Sequence, residues 1–112
     1  MTNPGIVRID TDPTDFVDEP TGVGTPARTS AQTATGTGFS AGIWEAEPFD
    51  EDFPDGYGMD EFITIIDGTI VLRSPDGTEH RFEAGDSFTI ARDAVISWHQ
   101  PTRVKKIFVI QE

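Results

Sequence analysis

Three residues in the second half of the chain carry side chains that could do chemistry together. They are the carboxylate of Glu61, the phenol of Tyr57 four residues earlier, and the amine of Lys106 near the C-terminus. A carboxylate in a dry pocket has its pKa raised and can act as an acid or base. It can also anchor a ligand amine or hydroxyl. Other constellations are missing. The chain has no cysteine, which excludes a disulfide, a thiolate metal site and a thiol nucleophile. Its two histidines are His80 and His99. His80 stands between Glu79 and Arg81 and reads as a solvated residue. No serine has a plausible histidine partner for nucleophilic catalysis. Gly36-Thr37-Gly38 lacks the helix and lysine of a phosphate loop.

Each candidate also has a plainer reading. Glu61 could be a polar cap where a loop enters a strand. Tyr57 could pack on a rim, with its phenol reaching the same mouth. Lys106 could pair with Glu61 or a rim carboxylate, or lie on the surface beside Lys105; both faces of its strand are apolar, so parity does not decide. Trp44 and Trp98 are the chain's two tryptophans, and core packing is the simple account of Trp44.

The elements that must position these residues are strands. Glu61-Phe62-Ile63-Thr64-Ile65-Ile66 is β-branched and aromatic, short, and apolar on both faces, which suggests a strand buried on two sides. Asp67-Gly68 follows as a hairpin turn, and Thr69 to Arg73 is expected to return antiparallel. Ser74-Pro75-Asp76-Gly77 has turn chemistry. His80-Arg81-Phe82, Ser87 to Ile90, Val95 to His99 and Val104 to Ile110 read as further strands, and Gly42 to Glu45 as an earlier one. Glu47 to Gly58 reads as a long acidic loop, punctuated by Pro48, Pro54, Gly56 and Gly58. Thr33 to Gly38 reads as a strand end or turn. Many short strands with regular turns mean a sandwich or barrel. Residues 1–38, rich in Pro, Gly, Thr and Asp, read as an irregular N-terminal arm that drapes over the barrel or adds an edge strand. Residues 39–112 read as the barrel domain.

The order of these pieces resembles the cupin superfamily. The family's first motif ends in a glutamate, six residues and a glycine, matched by Glu61 and Gly68. Its second motif opens at Gly85-Asp86, but Ala91, Asp93 and Ile96 stand where the family has proline, glycine and histidine. The first motif's His-x-His should fall just before Glu61, where Pro54 to Asp60 holds no histidine. A narrower resemblance is to (S)-ureidoglycine aminohydrolase-type cupin domains. It rests on Gly42-Ile43-Trp44, Asp60-Glu61, Gly85-Asp86, Trp98, and Lys106 opening the last strand.

The resemblance implies an all-β, single-domain cupin, a jelly-roll barrel of the double-stranded β-helix type. It places Glu61 and Ile96 across the cavity from each other. Trp98 shares strand parity with Ile96. The expected pocket is then the barrel mouth, lined by Ile96, Trp98, Ile63 and Trp44, with Glu61 as its main polar group. Metal cupins hold a divalent ion with several imidazoles and a carboxylate. Here only the carboxylate remains, so no metal and no other cofactor is expected. His99, three positions past Ile96, falls on the opposite face of a regular strand.

Three functions are open on these grounds. The first is a metal-free cupin that binds a small molecule of unidentified structure. The second is a metal-independent isomerase, dehydratase or cyclase using Glu61 with Tyr57 or Lys106. The third is a metal-dependent aminohydrolase, against which the missing histidines argue. A homodimer is expected from the apolar strand faces, with Ile6 to Ile9 crossing to the partner. The formal charge of −12 argues against nucleic acid and anionic membrane surfaces. No Lys or Arg occurs between Arg28 and Arg73, a stretch with nine Asp or Glu residues. This acidic rim favours a cationic or neutral ligand over an anion. No signal-peptide pattern opens the chain, and no apolar run nears the ~18 residues of a membrane span, so a cytoplasmic protein is expected.

Overall fold

The computed structural model describes residues 5–33 and 38–112. Most of the Thr33 to Gly38 segment read above as a strand end or turn therefore lies outside the described residues. All the described elements are strands: β1 (Val17–Asp18), β2 (Ala27–Ala31), β3 (Phe39–Ala46), β4 (Phe49–Phe53), β5 (Asp60–Asp67), β6 (Thr69–Arg73), β7 (Glu79–Glu83), β8 (Ser87–Ile90), β9 (Ile96–Gln100) and β10 (Val104–Gln111). They form two antiparallel sheets. One has the order β1-β2-β3-β10-β5-β8 and the other β4-β9-β6-β7. The chain is an all-β cupin-like jelly roll. Among the described residues no helix is long and apolar enough to cross a membrane.

Alternation along each strand decides what lies between the sheets. On β5, Glu61, Ile63 and Ile65 point inward and are buried, while Phe62 is 42% exposed. On β10 the inward set is Val104, Lys106 and Phe108, all buried. Ile63, Ile65, Ile70, Leu72, Ile90, Trp98 and Val104 form one interior cluster.

Two expectations about connections are overturned. Glu47 to Gly58 is not one long loop: Phe49-Asp50-Glu51-Asp52-Phe53 is strand β4, paired with β9 from Phe49 opposite Gln100 to Phe53 opposite Ile96. Its two acidic residues at even positions face solvent, while Phe49, Glu51 and Phe53 are half-buried. The prolines and net charge hid a period-two pattern. Asp67-Gly68 is not a hairpin either. β5 and β6 lie in different sheets, so the chain turns a corner there. Gly68 does have positive φ, at 97°. A Cβ on it would also run directly into the Arg103 carbonyl oxygen. The Ser74 to Gly77 hairpin forms as expected, joining β6 to β7 in register from Arg73 opposite Glu79.

The N-terminal arm both adds strands and drapes. β2 pairs with β3 from Ala27 opposite Ala46 to Ala31 opposite Gly42. The segment before it is tied to the outer face of the large sheet. Lys105 bonds Asp12 at 2.8 Å, Ser30 donates to Asp15 at 2.7 Å, and the Arg28 guanidinium lies 4.0 Å from the Phe16 ring centroid. The outward-facing Ile43 is fully buried on this side. Ile6 is 83% exposed.

Gly68 and Gly77 both have positive φ, but only Gly77 has open space around its Cα hydrogen. Gly77→Ala should therefore cost about 1 kcal/mol, and Gly68→Ala roughly 2–4 kcal/mol, because the second adds a backbone clash to the strain. Urea denaturation of the two variants checks this. Equal losses would show that the corner is not packed against Arg103.

Candidate functional site

Between the two sheets, under a turn of the arm, lies a cavity of about 480 Å³. Its aromatic wall is built from β3, β4, β9 and the loop before β5: Trp44, Phe49, Phe53, Trp98 and Tyr57. The rings pack edge-on or in parallel. Trp44 meets Trp98 at 6.2 Å between centroids and Phe49 at 6.1 Å, both edge-on. Tyr57 lies parallel to Trp98, with planes 2° apart and centroids at 6.4 Å. The Trp98 indole N–H donates to Gln100, whose amide in turn donates to the Ala46 and Glu47 carbonyls. Those bonds fix the Trp98 rotamer by satisfying its one polar atom.

At the polar end of the cavity stand Tyr57, Glu61 and Lys106. The Tyr57 hydroxyl donates to Glu61 Oε1 at 2.5 Å, and Lys106 Nζ donates to Glu61 Oε2 at 2.8 Å. The Lys106 and Glu61 side chains are 6% and 1% exposed. The ammonium also lies 4.3 Å from the Trp44 ring centroid and 5.0 Å from that of Trp98. Such cation–π contacts strengthen when desolvated. Local backbone geometry places each group. Glu61 is inward by strand alternation. Lys106 is inward by the same rule, while Lys105 turns out to Asp12; β5 carries a bulge opposite the Lys105–Lys106 step. Tyr57 is held by Gly58, whose N–H donates to the Arg92 carbonyl at 2.8 Å.

Tyr57 is thus not a rim residue with a free phenol. It is buried, and its hydroxyl is committed to Glu61. Burial, then the charge of Glu61 and the hydrogen bond to it, and finally Glu51, push its phenol well above the ordinary range. Tyr57 is a neutral donor at any physiological pH.

Of the residues expected at the pocket, Glu61, Tyr57, Lys106, Trp98 and Trp44 line this cavity, and Ile63 and Ile96 do not. Ile63 is fully buried in the core, and Ile96 packs against that core from the end of β9. The cavity sits nearer β4 and the arm than the family motif implied. Phe49, Glu51, Phe53 and Met59 line it too, as do Glu19 to Gly22 of the arm. The β4 residues were legible as an alternating Phe-x-Glu-x-Phe; the arm residues carried no such signal. Burial pushes the Glu51 carboxyl above its ordinary range, opposed by a hydrogen bond from the Gly22 backbone.

His99 is on the outer face, where its Nδ1 meets Asp50 Oδ1 at 2.5 Å. His80 pairs with the Ser74 hydroxyl in the hairpin. Neither approaches the cavity lining. The divalent metal of other cupins does not fit these residues. Both oxygens of Glu61 are taken by donors, and one of those donors is a cation that would repel a metal ion. Among the described residues no three His, Cys, Asp or Glu side chains are placed to hold one.

Residues 33–108 match the EutQ-like cupin domain family. Solved structures share the fold. A Pseudomonas syringae pv. tomato protein of unknown function superposes with a TM-score of 0.75 at 19% identity, over 92% of this chain and 46% of its own. The Clostridium difficile EutQ protein superposes with a TM-score of 0.62 at 20% identity, over 80% of this chain and 65% of its own. A Thermotoga maritima protein gives a TM-score of 0.53 at 27% identity, over 59% of this chain and 73% of its own. The chain therefore spans about half the length of the first and about two thirds of the second. No curated protein matches it. These matches do not carry the narrower resemblance to (S)-ureidoglycine aminohydrolase domains. With a family match over most of its length and this barrel, the chain belongs to the EutQ-like cupin domains of the cupin superfamily.

Proposed function

We propose that this domain binds a small organic molecule in the aromatic cavity, without a metal ion. The observation that carries the reading is the Tyr57–Glu61–Lys106 chain at the end of that cavity. Where metal cupins place a divalent ion against the motif glutamate, this chain places its own ammonium. An ammonium has three N–H donors, and Glu61 takes one. The others can bond a ligand oxygen. Aromatic walls with a few convergent polar groups, at this volume, are the usual make-up of a small-molecule site.

Binding is favoured over acid–base catalysis by Glu61, because that carboxylate is 1% exposed and both its oxygens are occupied. A general base must reach the proton it removes. Tyr57, held neutral, can serve as a donor but not as a base.

Both tryptophans of the chain line the cavity, so intrinsic fluorescence reports on its occupancy. A screen of small metabolites by this signal should find binders whose affinity is unchanged by a chelator. Ser40→Phe, at a half-buried cavity position on β3, should abolish their binding while leaving the far-UV spectrum intact. Binding that needs added Mn, Fe, Ni or Zn, or near-stoichiometric metal in the purified protein, would overturn the metal-free reading.

We also propose that two copies pair through the outer face of the large sheet. Phe39 and Phe62, 46% and 42% exposed, border one shallow groove there with Val109. Light scattering should give twice the 12.2 kDa chain mass, and Phe62→Glu should halve it. A wild-type mass equal to one chain would rule the pairing out.

A further inference from the structure

The charged residues lining the cavity are Lys106 and the acidic Glu19, Glu51, Glu61 and Glu112. Glu19 and Glu112 are exposed at its edge, so two charges of opposite sign matter inside it besides the paired Glu61. Lys106 supplies the positive end. The other end belongs to Glu51, the inward residue of β4, set between Phe49 and Phe53 on the same strand face. Glu51 differs from the two buried acidic side chains of the fold. Glu61 is paired with Lys106, and Glu45 with Arg28 and Arg103. Among the described residues no Lys, Arg or His forms an ion pair with Glu51; its carboxylate lies against Gly22 of the arm, whose backbone hydrogen-bonds it. It is partly desolvated, which pushes its pKa up, yet nothing of opposite charge compensates it. A half-buried carboxylate flanked by two phenylalanine rings is a receptor for an ammonium group, through an ion pair and cation–π contact together.

We propose that the cavity takes a small dipolar molecule, an ω-amino acid or a close analogue, with its carboxylate oxygen on Lys106 and its ammonium on Glu51. This deepens the binding reading above and rests on it. The ligand is neutral overall, so the acidic surface does not repel it as it repels a plain anion. Its two ends satisfy the two groups that the fold leaves short of partners: the remaining N–H donors of Lys106 and the unpaired carboxylate. Gly22 of the arm lies against this second end; a Cβ there would meet a Glu51 carboxylate oxygen and displace that side chain.

The test is a fluorescence titration of the full chain with glycine, β-alanine, γ-aminobutyrate, 5-aminovalerate and 6-aminohexanoate. Butyrate, butylamine and butyramide serve as controls that lack one charge or both. At least one amino acid should bind at least tenfold tighter than butyrate and butylamine. Glu51→Gln should reduce its affinity to that of the plain acid and leave the affinity for butyrate unchanged. Butylamine binding as well as the best amino acid would overturn the proposal in favour of a plain cation site. Binding of butyramide but of no amino acid would overturn it while leaving the small-molecule reading intact. If no compound perturbs the tryptophans and the library screen above also finds none, both readings fall.

Discussion

An ammonium and a carboxylate sit together inside this barrel with almost nothing of either side chain exposed, and the rest of the interior is arranged around that pair. Removing two charges from solvent costs several kcal/mol per ion, which Coulomb attraction alone rarely offsets. Here further contacts add to that attraction. Glu61 takes a second donor from Tyr57, and Lys106 lies over the faces of two indoles. Tyr57 can reach only because its loop turns inward after β4, and its ring completes the stack on Trp98. Trp98 in turn is held by Gln100, which is tied to the chain leaving β3. Disturbing any member leaves another buried polar group without its partner.

The pair also changes what a cupin barrel can do. A divalent ion is a strong Lewis acid with open coordination positions. A lysine ammonium is a fixed hydrogen-bond donor with a single charge, built into the chain and independent of metal supply. It can hold and orient an oxygen, but it polarises a substrate less than a divalent ion does. On the metal-free reading proposed above, a lysine in this place favours recognition. The aromatic wall around it gives the proposed site its apolar surface.

Much of the fold was legible because strand signals are local. The Ser74 to Gly77 turn and the Ser87 to Ile90 alternation each read correctly on their own residues. The run from Phe62 to Ile66 read correctly as a strand but not as one buried on both sides, since its outward face leaves Phe62 exposed. The errors came where two signals competed. At Glu47 to Gly58, prolines and acidic residues outweighed the alternation of Phe49, Glu51 and Phe53, and strand β4 was lost. At Asp67-Gly68 the turn chemistry was right, but whether a turn makes a hairpin or a corner between sheets is a tertiary matter. Family motif positions named Glu61, and the last-strand lysine suggested Lys106, yet the strand's apolar faces could not say which way Lys106 points. The arm's place over the cavity was not legible, since its contacts with β4 join segments about thirty residues apart through a glycine backbone.

The central claim is that Lys106 and Glu61 form one interdependent buried pair. A double-mutant cycle in urea tests it most directly, using Lys106→Met, Glu61→Gln and the combination. Each single change strands a buried charge or breaks its pairing and should cost about 3–5 kcal/mol. The double variant should be no less stable than the worse single one, giving a coupling at least as large as the smaller single loss, about 3 kcal/mol. Losses that simply add, with coupling below about 0.5 kcal/mol, would contradict it and show that the ammonium and the carboxylate do not depend on each other in the folded protein.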